Sequence, residues 1–117
     1  GFSHASISEE GRLLHLAGQG AWDKDRNGVG GDDLALHTRQ CLANLRDVLA
    51  SEGAGPADLV RLRTYIVNHS PEKIGPFAGE MMAFYGDILP APNTLIGVQA
   101  LAMPEFLIEI EATAVLP

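Results

Sequence analysis

The sequence contains a single cysteine, few basic residues and no long apolar run. Cys41 alone excludes an internal disulfide and is typical of a reducing compartment. The 8 Lys and Arg residues are outnumbered by 15 Asp and Glu residues, which gives a formal net charge of −7. Nucleic acids are bound by clustered basic side chains, so we expect no nucleic-acid partner. A membrane-spanning helix needs about 20 consecutive apolar residues, so we expect no membrane partner either.

The length and the N-terminal residues set further bounds. A chain of 117 residues with 46% hydrophobic residues has the size and composition of one globular domain, residues 1–117. The first residues have neither a basic start nor the apolar core of a secretion signal. Together with the lone cysteine, this predicts a cytoplasmic location.

The clearest secondary-structure pattern lies near the C-terminal end. Residues 106–115 alternate strictly between apolar side chains and a mixed set that includes Glu109 and Glu111. Alternation over ten residues predicts a strand with one buried face. The preceding segment, residues 94–101, is apolar on both sides, which predicts a central strand covered on both faces.

The rest of the chain yields two helices and three further strands. Residues 3–8 and 12–17 predict an opening hairpin, and residues 21–31 a polar loop. Asp32 or Asp33 provides a cap for a helix that runs to about Glu52. Further along, the pattern predicts a strand at residues 59–67 and a helical region from Ser70-Pro71 to Gly86. The predicted order is therefore β-β-α-β-α-β-β.

Two helices can cover only one face of such a sheet. The other face would carry a mixed set of side chains, namely Arg61, Arg63, Tyr65, Val67, Leu107, Glu109 and Glu111. A face of this composition is either solvated or closed against another subunit.

Several short motifs lack residues that the corresponding binding sites require. Residues 23–28 mimic the start of a calcium-binding EF-hand loop, but the twelfth position is Leu34 rather than glutamate. The four histidines have no metal-ligand spacing, and Gly18-Gln19-Gly20 is too short for a phosphate cradle. We therefore expect no metal and no cofactor. Cys41 sits among apolar residues at helical spacing, which favours a buried structural thiol over a reactive one.

Several segments of the chain together resemble the Rid family (RidA/YjgF, reactive intermediate deaminases). The matching segments are residues 2–5 (FSHA), 14–19 (LHLAGQ), 40–45 (QCLANL), 58–61 (DLVR) with Tyr65, 90–94 (PAPNT) and 108–112 (IEIEA). The resemblance implies a chorismate-mutase-like α/β (α+β) fold, a mixed sheet with two helices on one face. It also implies a homotrimer with small-molecule sites between subunits.

Family deaminases hydrolyse imines and enamines such as 2-aminoacrylate to 2-oxo acids and ammonia. Carried over by position, the resemblance makes Glu109 the catalytic group that positions the attacking water. Gly18 and Gln19 match the end of the strand that lines the cleft. A carboxylate in this role orients or deprotonates water, which is ordinary general-base chemistry.

Other substrate-binding positions of the family carry different residues here. Asn93 stands where the family has the arginine that clamps the substrate carboxylate, and Leu95 where it often has a cysteine. Phe2 replaces a tyrosine, and Ala17 replaces a small hydroxyl residue. Asparagine offers one neutral amide in place of a charged planar fork, which argues against 2-aminoacrylate and 2-iminopropanoate as substrates.

Two interpretations of the cleft therefore stand. The first is an imine or enamine deaminase with an altered substrate range. The alternative is a non-catalytic trimer that binds a small metabolite, for example as a regulator. Glu109 has its own alternative, a cross-strand ion pair with Arg61 or Arg63.

Overall fold

The computed structural model describes residues 3–117, and its centre is a four-stranded mixed sheet. The strands are β1 (Leu13–Gln19), β2 (Leu59–Val67), β3 (Asn93–Val98) and β4 (Ile108–Val115). Their order across the sheet is β1-β4-β2-β3, antiparallel except for the parallel pair β2–β3. A parallel pair requires a crossover connection, and a helix provides it here.

Two helices cover one face of this sheet. Helix α1 (Leu34–Ser51) packs on β1 and β4, and helix α2 (Ile74–Tyr85), in the β2–β3 crossover, packs beside α1. Short 3-10 turns at Pro56–Asp58 and Pro71–Lys73 precede β2 and α2. The predicted mixed sheet with two helices on one face is confirmed.

The start of α1 follows the predicted capping chemistry. The Asp33 carboxylate accepts a hydrogen bond from the Leu36 backbone N–H at 3.2 Å, which satisfies one free donor of the first turn. Cys41, Leu45 and Leu49 have no exposed surface and form the stripe that packs against the sheet. The helix therefore depends on its apolar stripe and its cap together.

The predicted strand over residues 3–8 is wrong. In this segment the hydroxyls of Ser3 and Ser6 donate to backbone carbonyls that are distant in the chain instead. Ser6 Oγ donates to the Val60 carbonyl at 2.6 Å, and the Ser3 hydroxyl donates to the Pro90 carbonyl. Serine side chains compete in this way with the hydrogen bonds of a ladder. The Arg12 carbonyl, just before β1, accepts from the Leu116 N–H at 2.8 Å, beyond the end of β4.

The central position predicted for residues 94–101 is also wrong. The segment forms β3, which ends at Val98 and lies at the edge of the sheet, paired only with β2 among the described strands. The apolar side chains on its two sides have different surroundings, neither of which requires a central strand. Leu95 packs against the helix-side core, whereas Ile96 lies on the face opposite the helices.

We call the face opposite the helices the open face. It carries His15 on β1, Arg61, Arg63 and Tyr65 on β2, Thr94 and Ile96 on β3, and Glu109, Glu111 and Thr113 on β4. The opposite side of β4, with Ile108 and Ile110, is completely buried under the helices. The alternation predicted for β4 is confirmed. In the described part of the chain, no helix is long and apolar enough to cross a membrane.

Candidate functional site

Glu109 lies on the open face near the start of β4, next to the backbone of β1. It pairs with Tyr65 of β2, and its side chain is half-buried. On the other side, the β1–β4 register shifts between Leu16 and Gln19. Such a shift is typical of a β-bulge, which redirects side chains at functional sites. At this irregularity the Glu109 carboxylate lies directly against Gly18.

The lack of a side chain at Gly18 makes room for the glutamate. A Cβ atom at Gly18 would lie 1.7 Å from Glu109 Oε1 and 2.6 Å from its Cγ. Any larger residue would therefore require the carboxylate to move. Gly18, one member of the Gly-Gln pair predicted from the sequence, is thus in direct contact with the predicted catalytic residue.

Glu109 and Glu111 have different surroundings, although they share one face. Glu111 accepts a hydrogen bond from the Tyr65 hydroxyl and pairs with Arg63 at 3.5 Å. Arg61 donates to Thr94 Oγ1 at 3.1 Å. Within residues 3–117 the Glu109 carboxylate accepts no hydrogen bond and forms no ion pair. The cross-strand pair considered for Glu109 is therefore absent from the described chain.

A buried histidine fixes the approach to β4. His37 is 3% exposed and its Nε2 lies 2.6 Å from the Gly31 carbonyl, to which it donates. Its Nδ1 accepts from the Leu107 backbone N–H at 3.4 Å. The ring thereby ties the loop before α1 to a residue two positions before Glu109. The sequence offered no signal for these two contacts beyond the place of His37 on α1.

Of the residues predicted on β1, Gly18 and Gln19 line a polar cleft, whereas Ala17 does not. Ala17 is exposed, and its carbonyl accepts a hydrogen bond from Gln19 Nε2 at 2.8 Å. Gly18 and Gln19 line a cleft of about 660 Å³ together with Trp22. Trp22 packs edge-on against Phe106, with ring centroids 5.1 Å apart. Phe2 lies outside the described residues.

Asn93 and Leu95 lie on the other face of the sheet, towards the helices. The Asn93 Oδ1 atom accepts from the hydroxyl of Thr64, a residue without exposed surface, at 2.9 Å. Both residues line a largely apolar pocket of about 770 Å³ between α2 and β3, to which His69 and Tyr85 also contribute. We call it the α2–β3 pocket.

The sheet separates the two halves of the predicted site within one chain. Asn93 pairs with the buried Leu62 on the helix side, whereas Glu109 pairs with Tyr65 on the open face. The two side chains therefore point to opposite sides of the sheet, two strands apart. A single chain brings Glu109 and Gly18 together, and Asn93 and Leu95 together, but does not join the pairs.

Comparison with known proteins gives the relationship of the whole chain. The family model described as endoribonuclease L-PSP, which represents the YjgF/RidA family, matches residues 1–116. The chain belongs to the Rid family. The Rid protein YyfB from Yersinia pestis, described as a protein of unknown function, is 58% identical with a TM-score of 0.95. The match covers 99% of this chain and 87% of YyfB.

Two solved structures of lower identity extend the comparison. Rv2704 from Mycobacterium tuberculosis is 30% identical over 92% of this chain and 82% of its own, with a TM-score of 0.74. YEO7 from yeast is 22% identical over 98% of this chain and 90% of its own, with a TM-score of 0.80. The latter likeness is evidence for a common fold alone.

The cysteine of this Rid protein is a structural thiol. Cys41 has no exposed surface, and burial raises its pKa to about 12, with the negative charge of Glu109 contributing. A thiol with a raised pKa carries almost no nucleophilic thiolate near neutral pH. The expectation of a buried structural cysteine is confirmed. Residues 3–117 contain no group of three or more His, Cys, Asp or Glu side chains placed to hold a metal ion.

The residue pattern of this Rid protein predicted the second helix but not the α2–β3 pocket. In the structure Phe77 and Tyr85 are buried, but Ile74 and Met82 remain 49% and 66% exposed beside the pocket. The available signal was an excess of apolar residues over what one buried stripe requires.

Substituting Gly18 with alanine is expected to displace the Glu109 carboxylate and to lower the free energy of unfolding by about 1 kcal/mol, the cost of a strained rotamer. Denaturant unfolding at matched protein concentration measures the stability, and a crystal structure gives the position of Glu109. Gly79→Ala is the matched control, because no atom lies within 4 Å of the added Cβ and the site is exposed on α2. That control should gain about 0.5–1 kcal/mol. Unaltered stability and an unmoved Glu109 in Gly18→Ala would contradict the expected contact.

Proposed function

We propose that this Rid protein hydrolyses imines or enamines, with a substrate range that differs from that of carboxylate-binding relatives. In this proposal it works in the cytoplasm as a homotrimer without a cofactor. The observation that carries the proposal is the environment of the Glu109 side chain. Its carboxylate is half-buried against Gly18 and has no hydrogen-bond or ion-pair partner among the described residues. A carboxylate held in this way is available to a water molecule or a substrate.

The reaction requires one group that accepts a proton from water. In the proposed mechanism, the water oxygen attacks the imine carbon while Glu109 takes up a water proton. The electron pair of the C=N bond moves to nitrogen, which receives the proton that Glu109 took up, so the carboxylate is restored. The hydroxyl proton of the carbinolamine then passes through Glu109 to nitrogen as the C–N bond breaks, a C=O bond forms and ammonia leaves. The products are a carbonyl compound and ammonia, and no oxidant or reductant is needed.

The division of the site across the sheet supports the proposed homotrimer. Because Glu109 and Asn93 point to opposite sides, one substrate can meet both only between neighbouring copies. The open face has the composition of a surface that another subunit covers, with Leu13 55% exposed near His15 and Thr113. Joining the open faces of three copies would also bury the pair formed by Arg63 and Glu111.

Nucleic acid is not expected as a substrate, although the family model is described as an endoribonuclease. The chain carries a net charge of −7. On the open face, Arg61 and Arg63 already bond to Thr94 and Glu111. RNA binding depends on free basic groups that release counterions from phosphates, and these two arginines are engaged within the chain.

A non-catalytic metabolite-binding trimer is the second candidate function. It is favoured by the α2–β3 pocket, which is closed to Glu109 of the same chain and is large enough for a small metabolite. In that case a ligand would raise the melting temperature without being consumed. The two functions can be distinguished because only the first predicts hydrolysis of the bound compound.

The test is an oxidase-coupled imine assay combined with a solution mass. L-Amino-acid oxidase supplies imines that carry a carboxylate, and an amine oxidase supplies imines that lack one. We expect the protein to speed hydrolysis of the second class above the buffer rate, and to have three times the mass of one chain. A single-chain mass would contradict the shared site. Ligand-induced stabilisation without turnover of either class would establish the binder instead.

A further inference from the structure

We infer that the α2–β3 pocket selects neutral carbonyl or imine compounds with an apolar body, and excludes carboxylates. This ligand class deepens the proposed function and rests on it for the reaction step that follows binding. The preference itself depends on the side chains of the pocket.

The walls of the pocket are apolar and include no permanent charge. Phe77, Met81 and Leu95 form part of the lining, and none of the described residues around the pocket is Lys, Arg, Asp or Glu. Transferring a carboxylate from water into such surroundings is costly unless a cation accompanies it. A neutral molecule with an apolar body avoids that cost and gains from burial.

Three polar side chains line the pocket, and each offers a hydrogen-bond donor. The Asn93 Oδ1 atom already accepts from Thr64, and its Nδ2 atom has no acceptor among residues 3–117. Tyr85 is 5% exposed; its hydroxyl oxygen accepts from the Ala91 N–H at 3.3 Å. Within the described chain, the hydrogen of that hydroxyl has no acceptor.

His69 provides the third donor. Its Nδ1 atom is buried and has no hydrogen-bond partner among the described residues. A hydrogen on Nδ1 would therefore be buried with nothing to accept it, so the neutral ring carries its hydrogen on Nε2. The Nε2–H remains as the donor that the ring can offer to a ligand in the pocket.

The donors define the complementary ligand. A pocket whose polar side chains donate, and whose walls are apolar, is matched by a molecule that has an acceptor oxygen or nitrogen and few donors. Carbonyl compounds and neutral imines meet this requirement. Because position 93 carries no fixed cation, the same pocket binds 2-oxo and 2-imino acids weakly.

Isothermal titration with two matched probes tests this selectivity. 4-Phenylbutan-2-one and 4-phenyl-2-oxobutanoate share the phenylethyl group and the ketone, and differ in a methyl group against a carboxylate. We expect the unmodified protein to bind the neutral ketone at least about tenfold more tightly, because the carboxylate finds no charged partner. Equal or tighter binding of the oxo acid, or no binding of either probe, would overturn the inference.

Two variants connect the preference to named donors. Asn93→Asp keeps the shape but removes the amide donors, and should weaken ketone binding about tenfold or more. Tyr85→Phe removes one hydroxyl and should weaken it about three- to tenfold. Asn68→Asp makes the same charge change at an exposed position that does not line the pocket, and should bind the ketone normally. Thermal melts identify a variant that fails to fold, in which case Tyr85→Phe decides alone.

The outcomes separate this inference from the proposed function. Unchanged ketone binding in the folded Asn93→Asp and Tyr85→Phe proteins would overturn the role of the donors, whatever the protein hydrolyses. Tight ketone binding without imine turnover would leave the pocket inference standing and remove the deaminase. Imine turnover without selective ketone binding would support the deaminase and overturn the pocket inference.

Discussion

Replacing Glu109 with glutamine is expected to lower the rate of imine hydrolysis by at least about a hundredfold and to leave the fold intact. General-base catalysis contributes about 10²–10⁴ in rate, and an amide cannot take up the proton. The substitution should be structurally mild, because the Glu109 carboxylate has no hydrogen-bond partner among residues 3–117. The oxidase-coupled assay measures the loss, which should appear in kcat more than in KM.

Glu111→Gln is the matched control for this prediction, since it makes the same chemical change two residues further along the same face. Glu111 accepts from Tyr65 and pairs with Arg63, so its loss should cost about 1 kcal/mol of stability. Its effect on turnover should be small. If Glu109→Gln keeps full activity, or if the two variants lose activity equally, Glu109 has no specific part in the reaction.

The elements that the sequence predicted well are those with local signals. The alternation in β4 and the stripe of α1 repeat over several turns or pleats, and Asp33 caps its helix by contacts within four residues. Such signals require no knowledge of distant neighbours. They were sufficient to predict which side of β4 is buried and that Glu109 lies on the other side.

The errors arose where distant contacts decide the structure. Residues 3–8 were predicted as the first strand of a hairpin, but the hydroxyl of Ser6 donates to the carbonyl of Val60, 54 positions away. Residues 94–101 have the composition of a central strand, but strand order depends on how the chain crosses the sheet. Neither contact leaves a trace in the local pattern, because both are set by tertiary packing.

Only part of the candidate site could be predicted from the sequence. Glu109 and Gly18 could be assigned together because both match a family pattern. The separation of Asn93 from Glu109 depends on the register of two strand pairs, which only the folded sheet fixes. Which donors of Tyr85 and His69 remain free depends on hydrogen bonding in the folded chain, for which the local sequence carries no signal.

Substituting Asn93 with arginine is expected to give the protein a preference for imines that carry a carboxylate. Arginine offers a planar charged fork, and a charge-assisted hydrogen bond contributes about 1.5–3 kcal/mol, which corresponds to roughly ten- to a hundredfold in affinity. In the oxidase-coupled assay, kcat/KM for 2-iminopropanoate should rise by about that factor. Turnover of imines without a carboxylate should fall, because the guanidinium must be desolvated with no anion to pair with it.

The expected structural cost of Asn93→Arg has a specific cause that can be removed. Thr64 has no exposed surface, and its hydroxyl donates to Asn93 Oδ1, so arginine would leave that hydroxyl without an acceptor. The loss should be about 1–3 kcal/mol of stability. Thr64→Val combined with Asn93→Arg removes the orphaned hydroxyl and should recover most of it. Asn93→Gln keeps a neutral amide and serves as the control for side-chain length. If the arginine variants are stable but gain no more activity on 2-iminopropanoate than Asn93→Gln, position 93 does not contact the substrate, and a carboxylate must be bound or rejected elsewhere.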